Sequence, residues 1–245
     1  DYDPTGSDET WKAGLNWRPV DQLLVRVMQQ RAARAPNVGE LAAPRTTSLA
    51  NANFDPCSSF NAANITPELR DLCISTGMSA AQVGTVEDIV AGQINTFTGT
   101  DLTALPTPEQ ADTLTVGVVW PPELSWLQSP ILSVDYYDID IADFIGTFSP
   151  QEILDGCYDS GVQAQCDKIV RVGGTLTLPG AGVETFTTNL QYLRAEGIEV
   201  GFAFGVDIGR FGQLTFSGNV NKYLTQESRS DATTALLDCK GFYGT

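Results

Sequence analysis

The connections in this 245-residue chain are short and long by turns. Apolar and polar residues alternate with period two in about six stretches, at 7–18, 22–34, 110–120, 131–144, 185–207 and from 213 onward. That period marks strands with two chemically different faces. Arg18–Asp21 reads as a tight turn, and so do Pro121-Pro122-Glu123 and Gly209-Arg210-Phe211-Gly212. Between them lie the connections 35–107 and 145–184. A structureless loop of that length counts against a compact soluble domain. A transmembrane β-barrel has this layout, with short turns on one side and long loops on the other.

The faces fit the same architecture. Leu23, Val25 and Val27 share one face of the second stretch, and Arg26, Met28 and Gln30 share the other. Leu114, Val116, Val118 and Trp120 line up in the third, and Val200, Phe202, Phe204, Val206 and Ile208 in the fifth. In the sixth, Leu214, Phe216 and Val220 oppose Gln213, Thr215, Ser217, Asn219 and Asn221. A row of amides and hydroxyls is costly in a dry core but natural against a wet lumen. A soluble sandwich satisfies the alternation equally well. Loop asymmetry and strand length favour the barrel. Trp17, Trp120, Trp126 and Phe211 fall at the short-turn ends, where an aromatic girdle belongs. Six strands are fewer than the ~8 needed for closure and would leave long edges unpaired. The chain is therefore expected to be a fragment of a longer protein.

Composition narrows the function classes. The formal charge is −16, which argues against nucleic acid. The chain contains no histidine, so no Ser-His-Asp or Cys-His pair can form within it. We expect no catalytic residue, no metal site and no cofactor. Four of the five cysteines lie in the two long connections and Cys239 follows the last stretch, so none falls in a short turn. Cys57 with Cys73 and Cys157 with Cys166 read as local disulfides of an oxidising compartment. Cys239 is left over, either a free thiol or paired beyond the segment. The spacing predicts a helix capped by Thr66 and stopped at Gly77, a second short helix from Ser79-Ala80-Ala81-Gln82, and a third from Ser149-Pro150-Gln151-Glu152. Gly173–Gly182 reads as a flexible loop, and Asp135, Asp138, Asp140 and Asp143 as solvated charge. Arg31, Arg34 and Asn37 are candidates for contact with a ligand in the lumen, with structural charges at the rim as the alternative.

Particular residues carry more than pattern. Trp17-Arg18-Pro19, Leu24-Val25-Arg26, Arg34-Ala35-Pro36 and Glu40-Leu41 resemble the run joining two barrel strands in TonB-dependent outer-membrane receptors. Leu105-Pro106-Thr107-Pro108-Glu109 through Gly117 is similar to that family's re-entry strand, with altered spacing before the Glu. Gly99-Thr100-Asp101-Leu102 is a degraded form of its Gly-Asn-Pro-x-Leu. Ser133 to Ile139 and Asn189 to Glu199 resemble later strands. The resemblance implies an all-β fold, a partial antiparallel transmembrane barrel of about six long strands out of ~22, with extracellular loops holding short helices. Residues 1–245 would be a C-terminal portion of that barrel, without plug or final strands. It further implies the outer membrane of a Gram-negative bacterium as location and lipid as surroundings. TonB would be a partner through the absent plug region. The function implied is uptake of a scarce nutrient, a siderophore, cobalamin or an oligosaccharide. A secreted, disulfide-bonded β-sandwich binding glycan or protein is the alternative from another class.

Overall fold

The computed structural model describes residues 8–231, 234 and 236–242. In chain order the elements are β1 (Trp11–Val20), β2 (Leu23–Arg34), α1 (Val38–Ala42), β3 (Thr46–Asn51), α2 (Pro67–Ser75), β4 (Gln93–Thr98), β5 (Glu109–Trp120) and β6 (Gln128–Gly146). They continue with α3 (Pro150–Tyr158), α4 (Gln163–Cys166), β7 (Ile169–Val170), β8 (Gly182–Glu184), β9 (Thr188–Asp207), β10 (Gln213–Arg229) and β11 (Leu237–Asp238). Six long strands and the short β11 form one antiparallel sheet in the order β1-β2-β5-β6-β9-β10-β11.

Register makes the two faces explicit, because paired residues point to the same side. One row is Trp17, Val25, Val118, Val134, Val200 and Val220; the next is Leu15, Val27, Val116, Tyr136 and Ile198. Phe204 pairs with Phe216, their rings 5.3 Å apart, and Val206 pairs with Leu214. This face has no layer packed on it among the described residues. Trp17 is 59% exposed, Trp126 67% and Phe211 74%, all near the short turns. On β9 the apolar run Ile198–Val206 spans ~27 Å of strand. A tilt of ~40° lowers that to about 20 Å, close to the ~25 Å of a barrel's lipid band. Toward the long connections the same face turns polar: Arg31, Asp112, Asp140, Arg194 and Glu227 occupy one register row. Arg31 bonds Asp112 at 2.7 Å and Arg194 bonds Asp138 at 2.9 Å.

The opposite face is concave and polar. Arg26, Gly117, Asp135, Glu199 and Asn221 form one row across five strands. Arg26 grips Asp135 with two hydrogen bonds, 2.9 and 2.7 Å, passing over Gly117. A Cβ there would sit 1.8 Å from Asp135 Oδ1, so only glycine leaves room for this pair.

Several boundaries differ from the sequence expectation. The first strand runs on through Pro19 to Val20, and the turn is Asp21–Gln22. β1 is an edge strand, where the missing N–H of proline is harmless; its expected start at Ser7 lies outside the described residues. The fifth strand starts at Thr188, because Gly182–Glu184 pairs elsewhere as β8. No helix forms at Ser79. The Gln82 side chain bonds back to the Ser79 N–H and hydroxyl, and the chain closes turns instead of continuing.

The connections 35–108 and 147–187 are not loose. They fold together into a second sheet, ordered β3-β4-β8-β7. β3–β4 and β7–β8 are antiparallel, while β4–β8 is parallel and joins the two connections. The molecule's buried apolar core sits here, around Met78, Ile94, Ile153, Leu154, Leu176 and Val183. We call this unit the cap.

Candidate functional site

The cap is built from side chains that local sequence places well. Thr66 accepts from the Leu69 N–H and Pro67 opens α2. Ser149 and Glu152 form a reciprocal capping box that starts α3. The buried face of α3, with Ile153, Leu154, Cys157 and Tyr158, packs into the core. The structure joins Cys57 to Cys73 and Cys157 to Cys166, all four buried. Each bridge closes a loop inside one connection, so neither ties the two connections together. Cys239 is unpaired, and its N–H donates to the Gln226 carbonyl.

One link between the connections is ionic. Asp55 and Arg171 are 1% and 0% exposed in their side chains. Arg171 Nη1 and Nη2 donate to the two Asp55 oxygens, each at 2.7 Å. The guanidinium also donates to the Tyr158 hydroxyl at 2.9 Å, the Gly174 carbonyl at 3.1 Å and Thr76 Oγ1 at 3.3 Å. Asp55 Oδ1 accepts in addition from the Cys57 N–H at 3.0 Å. Burial pulls the Arg171 guanidinium down, but the Asp55 hydrogen bonds and charge outweigh it, and the net shift is upward. Burial pushes the Tyr158 hydroxyl up, against the opposing pull of Arg171 and Thr76. Burial likewise lowers Lys168, which lies 4.3 Å over the Phe148 ring. Such a fully bonded ion pair is a fixed point, because removing either partner strands a buried charge.

The residues expected at the lumen divide. Arg34 bonds Glu109 at 2.6 Å and Glu40 at 3.0 Å. Asn37 caps α1, its side chain accepting from the Glu40 N–H while Glu40 Oε2 accepts from the Asn37 N–H. Arg34, Asn37 and Glu40 thus form one cluster where β2 enters the cap. Arg31 does not join it. It shares a face with Val25 and Val27, opposite the face that carries Arg26 and Arg34. The four aspartates also separate: Asp135 faces the concave side with Arg26, and Asp138 and Asp140 flank Arg194 on the outer side. Asp143 sits at a kink with φ of 53°.

The concave face is a trough of about 850 Å³, lined by Asn16, Arg26, Ser133, Asp135, Tyr137 and Glu199 among others. Tyr137 lies over Gly197 and donates to Asn221 Oδ1 at 3.1 Å. On the cap, Phe60 is exposed and stacks obliquely on Phe54 at 5.6 Å. None of these groups pairs a nucleophile with a base. The arrangement is a polar wall joined to a disulfide-bonded cap, suited to holding or passing a solute. Sequence reasoning missed the Asp55–Arg171 pair, since the two residues are 116 positions apart.

The family model "TonB dependent receptor-like, beta-barrel" matches residues 1–238. No curated protein matches the chain. Among solved structures, a mutant ferric enterobactin receptor (PfeA) from Pseudomonas aeruginosa in complex with enterobactin is similar at 12% identity and a TM-score of 0.50. That match covers 93% of this chain and 24% of the receptor. A second mutant of that receptor gives 14% identity and a TM-score of 0.48, covering 91% and 23%. The siderophore receptor PirA from Acinetobacter baumannii gives 14% and 0.45, covering 93% and 25%. The chain spans about a quarter of the length of these structures.

Proposed function

The chain belongs to the TonB-dependent receptor β-barrel family, and from that membership we propose that it forms part of an outer-membrane receptor for energy-coupled nutrient uptake. The family is one of transport receptors, not of enzymes, and its members are outer-membrane proteins of Gram-negative bacteria. The match over 1–238 carries the reading. The single-layered sheet, apolar outside and polar inside, supports it over a soluble sandwich, which needs a second layer on its apolar face.

In this reading the rows around Val200 and Phe202 face lipid and the trough faces the lumen. The cap stands at the extracellular end, in the ligand vestibule, with Arg34 and Asn37 at its base. Residues 1–245 are a portion of a barrel of about 22 strands, and the plug that contacts TonB belongs to the rest of a longer protein. The ligand class is a ferric siderophore, cobalamin or an oligosaccharide. One neighbouring structure bears on that class by name, the ferric enterobactin receptor in complex with enterobactin.

The test is accumulation of one labelled member of each class by cells with and without the parent gene. Uptake of one of them should vanish on deletion and also on collapsing the proton-motive force. Accumulation of all three unaffected by deletion would overturn the proposal.

A further inference from the structure

The cap carries an open sheet edge. β3 stands at the end of the order β3-β4-β8-β7 and pairs only with β4. Five of its six residues are exposed. Among the described residues no other backbone group bonds to Thr46–Asn51. A free row of N–H and C=O groups is a template for another strand, and proteins usually blunt such edges with Lys, Pro or a bulge. Thr46-Thr47-Ser48-Leu49-Ala50-Asn51 has no such device, and its register with β4 is unbroken. Beside it lies a hollow of about 260 Å³, lined by Leu49, Val90, Ala91, Gln93 and Leu176.

Charge narrows the occupant. The connections 35–108 and 147–187 carry twelve Asp and Glu against four Lys and Arg. Of the four, Arg171 is consumed by Asp55 and Arg45 by Glu184 at 2.9 Å. The cap therefore presents a negative field, which concentrates cations at its surface.

We propose that the β3 edge captures an extended, positively charged polypeptide segment as a fifth strand of the cap sheet, with one apolar side chain in the Leu49 hollow. Main-chain hydrogen bonds supply affinity in such strand addition, and the side-chain pocket supplies selectivity. The net negative charge of the cap raises the encounter rate for a basic segment.

The probe is the peptide acetyl-Lys-Thr-Val-Lys-Val-Thr-Lys-amide, titrated against the full chain in detergent micelles at low salt. It should bind saturably and slow amide exchange at Thr46–Asn51. A copy with every backbone nitrogen methylated should not bind, because it lacks the donors. A copy with Glu in place of Lys should bind at least tenfold more weakly, and Leu49→Glu should weaken the original peptide similarly. No saturable binding, protection elsewhere than β3, or equal binding of the methylated copy would overturn the strand addition. Equal binding of the Glu copy would overturn the charge preference.

Discussion

Asp55→Asn isolates the ion pair that joins the two halves of the cap. The substitution keeps the shape and an oxygen that can still accept from the Cys57 N–H. It removes the charge that faces Arg171 through two 2.7 Å bonds. The Arg171 guanidinium, fully buried, then keeps only neutral partners: Tyr158, Thr76 and Gly174. Removing one partner of a buried pair costs about 3–5 kcal/mol. At a factor of ten per ~1.4 kcal/mol, the open cap should become roughly a hundred- to several-thousand-fold more populated. The four disulfide cysteines are the reporters, since they are buried until the cap opens. In mild reductant, where reclosing outpaces reduction, the reduction rate tracks the opening equilibrium. Asp55→Asn should accelerate it by that factor. Asp55→Leu combined with Arg171→Met should recover most of the loss, because two apolar residues leave no charge stranded. A single variant reduced within about threefold of the natural chain would refute the reasoning, and so would a double variant no slower than the single.

Depth in the bilayer sets the cost on the outer face: Phe202→Arg, at the middle of the β9 run, should cost ~2–4 kcal/mol, while Phe211→Arg near the turn should cost ~0–1 kcal/mol. Ser217→Arg on the polar face should be mild, and refolding titrations into bilayers that ranked these otherwise would reverse the face assignment. Gly117→Ala should displace the half-exposed Arg26–Asp135 pair and cost about 1 kcal/mol. The same substitution in an Asp135→Ala background should cost distinctly less, and full additivity in denaturant midpoints would show that the pair does not need the glycine. In the cap, burial raises Asp155, the Gln151 hydrogen bond opposes it, and Asp159 and Glu152 add to the rise. The folded state then holds this proton more tightly than the unfolded one, so the contribution is present below ~3.9 and lost as pH rises through the folded value. Asp155→Asn should flatten that decline in the urea midpoint of the cap, and a steeper decline would contradict it.

The sheet was legible because its chemistry is periodic. Leu114, Val116 and Val118 announce a face by spacing alone, and strand pairing then carries that face across to Val25 and Val134. The cap was legible at its two local disulfides and at its helix starts, where Thr66 and Ser149 act within four residues of themselves. Its sheet was not, because β3, β4, β7 and β8 are six residues or fewer and take their stability from each other. Ser79 shows the limit of local rules: a box sequence formed, but Gln82 spends its amide on the Gly173 carbonyl and the chain stays in turns. Arg31 shows another limit. Its charge suggested company with Arg34, whereas parity places it on the face of Val27, paired with Asp112.

The covalent and non-covalent bonds of the cap divide the work unevenly. Each disulfide closes a loop within its own connection, with separations of 16 and 9 residues, and contributes ~3 kcal/mol by the chain-entropy model. Neither resists separation of the two connections. That resistance comes from reversible contacts: the parallel pairing of β4 with β8, the shared apolar core and the Asp55–Arg171 pair. Each half is therefore stapled locally, and the two halves are held together by groups that water or a ligand can replace. A solute able to part them must repay the ion pair through contacts made only in the open form, because equal affinity for both forms shifts nothing. At ~3–5 kcal/mol for the pair alone, a solute with little preference for the open form leaves the two connections together.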